Sequence, residues 1–96
     1  MAAYLVVDTE ITDPDAYERY KALARPTVEA HGGEYLARGG ALDVLETDLW
    51  SPSRLVIIRF PDAAAARTWA DSPDYAAVKP IRHGAARSTL AIVEGV

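Results

Sequence analysis

The apolar positions of the chain follow two rhythms. Residues 3–11, AYLVVDTEI, are rich in β-branched and aromatic side chains and place polar residues two apart at Asp8 and Glu10, which predicts a first strand. The next stretch, TDPDAYERYKALA, changes period. Tyr17, Tyr20 and Ala24 recur at spacings of three and four and make one apolar helical face. Asp13 is placed to cap that helix, and Pro14 suits its first position. Pro26 interrupts the pattern, so a kink is expected there, or a short second helical segment over 26–31. EYLAR (34–38) reads as a second strand and RLVIIRF (54–60) as the clearest strand of the chain. PDAAAARTWA predicts a helix capped by Asp62 with Ala66, Trp69 and Ala70 on one face. SPDYAAVKPIRHGAAR starts another with Ser72 and Pro73, and Pro80 is expected to break it. STLAIVEGV (88–96) reads as the last strand.

Two Gly-Gly pairs bracket the second strand. Gly32 falls just past a helix, where a left-handed residue is wanted. Gly39 and Gly40 read as a turn or bulge leading into a ribbon over ALDVLETD (41–48). The order is β-α-β-β-α-β with a divided second helix. That order predicts an α+β, ferredoxin-like protomer, an antiparallel sheet with helices on one face. The strands carry apolar residues on both faces: Leu5 and Val7 against Val6, Val56, Ile58 and Phe60 against Leu55 and Ile57. Helices cover one face only, so a second copy of the chain is expected on the other.

Composition narrows the function classes. Ninety-six residues predict one domain, 1–96, and a chain that is half apolar and a quarter charged predicts a folded one. With no cysteine there is neither a disulfide framework nor a thiolate metal site. The opening MAAYLVVDTEI has no basic segment and only a short apolar run broken by Asp8, so neither a signal peptide nor a membrane span is expected, and a cytoplasmic location is. A net charge of −4 with scattered arginines argues against nucleic acid as a partner.

The blocks DPDAYERY, GGEYLARGG, RLVIIRFPD, SPDYAAVKPIR and the closing VEG together resemble the domain-of-unknown-function family numbered thirteen-thirty, within the dimeric α+β barrel superfamily. GGEYLARGG and SPDY are the specific parts, and the resemblance covers essentially the whole chain. It implies a ferredoxin-like protomer and a homodimer whose sheets face each other. It implies no agreed reaction. Relatives in the superfamily include cofactor-free monooxygenases, isomerases, cyclases, dehydratases, haem-degrading enzymes and non-catalytic binders, and the fold does not choose among them.

Candidate chemistry centres on a few side chains. On strict alternation Arg38 shares a sheet face with Leu36, and a partly buried arginine needs partners. The expectation is an at least half-buried guanidinium paired with Asp8, Glu10 or Glu46, of its own chain or of the partner subunit; the alternative is an anion-binding arginine at a pocket mouth. A helix begun at Pro80 would turn Ile81 inward, leave Arg82 flanking the buried face as a ligand contact, and point His83 away. Tyr17, Tyr20, Trp69 and Tyr75 read as core aromatics, or as the lining of a pocket between helices and sheet. Glu46, beside Asp48 and Trp50, could act as a general base if it bordered such a pocket. His31 reads as a helix-end histidine, dispensable and without a second metal-ligating side chain nearby; with His83 far along the chain, no metal and no cofactor are expected.

The candidates for a ligand pocket are therefore Tyr20, Arg38, Glu46, Trp69, Tyr75, Arg82 and His83. Two function classes stay open. One is a homodimer that binds a small organic ligand, with a cofactor-independent isomerase, cyclase or monooxygenase as its enzymatic form. The other is a non-catalytic structural or interaction dimer. A pocket with Arg, Tyr or Glu tips favours the first. A core filled by Tyr20 and Trp69, with every arginine met by an acid, favours the second.

Overall fold

Alternation and period resolve into four strands and three helices in a computed structural model that describes residues 1–96. The elements are β1 (Ala3–Ile11), α1 (Pro14–Ala30), β2 (Glu34–Arg38), β3 (Leu55–Phe60), α2 (Ala63–Ala70), α3 (Pro73–Ala85) and β4 (Ala86–Glu94). The sheet is antiparallel in the order β2-β3-β1-β4, the ferredoxin-like arrangement. Leu5 and Val7 of β1, Val56, Ile58 and Phe60 of β3 face the helices and are buried. The molecule measures 36 × 34 × 18 Å. The short axis has room for one helical layer on one sheet, and the opposite sheet face stays open.

Side-chain caps start all three helices. Asp13 accepts from the Ala16 N–H, Asp62 from the Ala65 N–H and Ser72 from the Tyr75 N–H. At the far end of α1 the Gly33 N–H donates to Val28 O and the Gly32 N–H to Glu29 O, with Gly32 at φ +80°. This paired closure needs a left-handed residue, which is why glycine stands there.

Three expectations are corrected. Pro26 and Pro80 break nothing: α1 and α3 run through them. Both prolines are exposed, and the buried face of α1 continues on either side through Tyr20, Ala24, Thr27 and Val28. Packing of α1 on α3 and the sheet outweighs the single backbone bond that each proline removes. Residues 41–48 form no ribbon; the chain from 40 to 53 is an irregular arm without strand or helix. β4 starts at Ala86, directly after α3, and not at Ser88.

The arm is tied down at its far end by Asp8. Its carboxylate accepts from the Trp50 indole N–H at 2.7 Å and from the Ser53 and Arg54 N–H groups at 2.9 and 3.1 Å. Desolvation by itself would raise the pKa of Asp8, but these donors outweigh it and hold the carboxyl below its ordinary value.

Candidate functional site

The site follows from an irregularity in β2. Tyr35 pairs with Ile58, but Ala37 pairs with Ile57 and Arg38 with Val56, so one extra residue bulges between Tyr35 and Ala37. Strict alternation would separate Tyr35 from Arg38. The bulge brings both to the helix side, opposite the inward-facing Ile58 and Val56. There Arg38 stacks on the Tyr35 ring, 4.5 Å from its centroid, and donates to the Lys21 carbonyl of α1 at 2.9 Å.

Arg38 is half-buried, but no carboxylate meets it. Each expected partner is occupied or distant. Asp8 holds the arm. Glu10 faces Arg87 at 3.8 Å. Glu46 lies exposed in the arm. Within one chain the expected ion pair of Arg38 is therefore absent: a carbonyl and an aromatic face hold the guanidinium.

Arg54 stands on the same rim. It precedes β3 and shares the parity of Val56, Ile58 and Phe60, which turns it inward. It donates to the Tyr17 hydroxyl at 3.0 Å and stacks on that ring at 5.1 Å. Gly39 makes the room. At φ +73° it turns the chain out of β2, and a Cβ there would lie 2.5 Å from Arg54 Nε. The second glycine pair thus serves a guanidinium through its first member.

Beneath this rim lies a cavity of about 30 Å³ between α1 and the sheet. Its polar lining comes from Tyr17, Tyr20, Lys21, Arg38, Arg54 and Arg82; no Asp or Glu contributes. Its walls otherwise are apolar, among them Leu5, Val7, Val28 and Ile58. On the far side of Arg82 a wider, open cleft of about 450 Å³ runs along β4, and Leu5, Trp69, Arg82 and Leu90 border both spaces.

Arg82 is 6% exposed. Its Nε donates to the Tyr75 hydroxyl at 3.2 Å, and Tyr75 and Tyr20 share a hydroxyl–hydroxyl hydrogen bond of 2.8 Å. The adjoining His83 ring nitrogen Nε2 lies 3.4 Å from Arg82 Nη2, while the imidazole itself is exposed. No carboxylate pairs with Arg82. Burial, then the nearby Tyr75, pushes the Tyr20 hydroxyl well above the ordinary phenol value, with Arg82 opposing in part. The Tyr20 hydroxyl therefore stays protonated at physiological pH.

Trp69 closes the inner wall. Its ring lies 4.1 Å from that of Tyr75, and its indole N–H donates to Thr27 Oγ1 at 3.1 Å. The Thr27 hydroxyl in turn donates a hydrogen bond to Ala24 O at 2.6 Å.

Of the seven candidates, Tyr20, Trp69, Tyr75 and Arg82 come together, and Arg38 joins them on the rim. His83 touches the group only through Arg82. Glu46 takes no part; a general-base role in this pocket is not available to it. Lys21, Tyr35 and Arg54 were missed. For Arg54 the signal was present in the parity of β3, whereas Tyr35 was hidden by the bulge. His31 does sit at the end of α1, its Nδ1–H donating to Thr27 O at 2.9 Å. No three His, Cys, Asp or Glu side chains group as metal ligands would, and no helix is long and apolar enough to cross a membrane.

Solved structures share this architecture at low identity. A protein of unknown function from Rhodopseudomonas palustris superposes with a TM-score of 0.78 at 18% identity, covering 99% of this chain and 82% of the other. SnoaB, a cofactor-independent oxygenase from Streptomyces nogalater, gives 0.71 at 14% identity over 99% and 93%. A dimeric ferredoxin-like protein of unknown function from Thermobifida fusca gives 0.68 at 17% identity over 99% and 92%. At such identities the likeness is one of fold. No curated protein matches the chain significantly. Membership is carried instead by a family model that spans residues 2–96, from the start of β1 through the bulge, both rim arginines and Arg82: the chain belongs to the family described as domain of unknown function (DUF1330).

Proposed function

We propose that the chain is a homodimer that binds a small organic molecule in the cavity between α1 and the inner sheet face. The observation that carries this reading is Arg82, a buried cation without a carboxylate, set where a cavity and a cleft meet. A buried charge is costly unless paired. Arg82 bonds the Tyr75 hydroxyl and the His83 ring, so its donors are met, but no acid balances its charge, and a ligand group is read as that counter-charge. The cavity is small; about 30 Å³ accommodates roughly one water. Entry therefore requires Lys21, Arg38 and Arg54, long side chains on the rim, to swing outward. The filling of the core by Tyr20 and Trp69 is what the non-catalytic alternative would show. Its other requirement, an acid for every arginine, fails at Arg38, Arg54 and Arg82, which line the cavity, and this favours the binding reading. An enzymatic form of the reading is of the cofactor-independent kind named for SnoaB, with Tyr20 as a neutral donor to a substrate oxygen.

The dimer rests on the open sheet face. Val6, Leu55 and Ile57 point outward beside half-exposed Leu36 and Val93. The arm adds Leu45 and Leu49, which are 87% and 92% exposed. So much outward apolar surface is the mark of an interface, and the Thermobifida fusca neighbour is described as dimeric. A fragment set of small aromatic and alicyclic molecules, charged and neutral, tests the site by NMR shift mapping. Tyr20, Tyr35 and Trp69 resonances should move. Shifts confined to the outer sheet face, or none with any fragment, would refute the assignment.

A further inference from the structure

We infer that the ligand of this cavity is an organic anion, a carboxylate or an enolate on an apolar body. The inference rests on the binding reading above and adds the ligand's charge.

Four cationic side chains, Lys21, Arg38, Arg54 and Arg82, line the cavity, and no acid does. The chain has 14 acids to 10 basic residues, so this is not the spillover of a basic protein. Away from the cavity three arginines meet acids, Arg25 with Glu29, Arg67 with Asp71 and Arg87 with Glu10, and the two that do not, Arg19 and Arg59, are exposed to water. Of the four lining cations only Lys21 has such a partner, an exposed Glu18 on its own helix. Like charges gathered around one cavity disfavour one another until an anion joins them.

The two rim arginines are also held in a way that leaves them free to bind. Each uses one side-chain N–H in a hydrogen bond, Arg38 to a carbonyl and Arg54 to a phenol, and each lies against a tyrosine ring. A guanidinium has five N–H donors in a planar fork. Stacking fixes the plane and leaves an edge for a carboxylate.

The interior adds a directed donor. The Tyr75 oxygen accepts from Arg82, so its own proton is free for Tyr20. The opposite sense, Tyr20 donating to Tyr75, would strand the Tyr75 proton on the more buried phenol, 1% exposed against 9%. The favoured sense leaves the Tyr20 proton over, and Tyr20 lines the cavity. Its partner must accept, as an oxygen anion or carbonyl does. The apolar walls and the Tyr17, Tyr35 and Trp69 rings suit a hydrocarbon or aromatic body, which inorganic phosphate lacks.

Titration calorimetry of the whole chain tests this with matched pairs: a panel of aromatic and aliphatic carboxylates, phenylacetate among them, their primary amides, and inorganic phosphate. The best carboxylate should bind at least tenfold more tightly than its amide and than phosphate. Arg38→Gln should weaken the best carboxylate at least tenfold and its amide much less, removing most of that preference. Arg38→Lys should restore part of it, and Arg82→Met provides a second variant if the first is poorly folded. Equal binding of acid and amide overturns the anion inference and leaves small-molecule binding standing. Phosphate binding as tight as the best carboxylate overturns the organic body. No binding by any member at millimolar concentration overturns both readings.

Discussion

At the residue scale, Arg82 and Thr27 make opposite statements about buried polarity. Arg82 is a buried cation with no acid, so an apolar side chain of similar reach removes a cost and strands nothing charged. Arg82→Met should leave stability within about 1 kcal/mol of the parent or raise it, because Tyr75 keeps Tyr20 as a partner. Chemical denaturation checks this, and a loss well beyond that range would make Arg82 a structural residue. Thr27 is different. Its hydroxyl accepts from the buried Trp69 N–H and donates to Ala24 O. Thr27→Val leaves that indole N–H unsatisfied and should cost about 1–3 kcal/mol in the same measurement. Tyr20 sets a pH dependence. Its folded pKa lies above the ordinary 10.0, so the folded state holds the proton that the unfolded state releases. Stability from this group is complete below pH 10.0 and declines as pH rises from there towards the folded value. Tyr20→Phe should flatten the fall in stability above that pH; an unchanged slope would contradict the burial argument.

Elements show where local pattern suffices and where it does not. Strand parity reads correctly in β1 and β3 because each residue of a regular ladder has one partner, and that parity already places Arg54 inside. In β2 one bulged residue resets the count. Tyr35 and Arg38 then share a face that alternation denies them, and no residue type in EYLAR announces it. The caps at Asp13, Asp62 and Ser72 were legible because a cap is a local bond. Pro26 and Pro80 misled because helix continuity is settled by packing across elements. In 41–50 the apolar residues demand a surface, and alternation cannot distinguish a strand from an arm. Of the site, Tyr17, Tyr20, Trp69, Tyr75 and Arg82 were legible from helical spacing. Their convergence was not, since it depends on the α1–α3 contact. The arm carries its own prediction. Asp8 has a depressed pKa, so its tie to Trp50 holds above and through the ordinary 3.8 and is lost only as pH falls through the lower folded value. The Trp50 indole N–H resonance should keep its position at pH 3.8 and move below it. A transition centred at or above that value would contradict the three-donor account of Asp8.

At the scale of the whole molecule, one helical layer on one sheet leaves two apolar surfaces for different occupants. The outer sheet face and the arm suit a second copy, and sedimentation at micromolar concentration should give twice the chain mass; a stable folded monomer there would refute the interface. The inner cavity suits a ligand, and its cations without acids are the reason to expect one. The most direct measurement is a crystal structure grown with the tightest-binding aromatic carboxylate of the calorimetric panel. The account predicts the carboxylate against the Arg38 and Arg54 edges, an oxygen on the Tyr20 hydroxyl or Arg82, and the rim side chains swung out from their places on Lys21 O and the Tyr17 hydroxyl. A ligand seated elsewhere, with Arg38 still on the Lys21 carbonyl and the cavity as narrow as it is now, would contradict it.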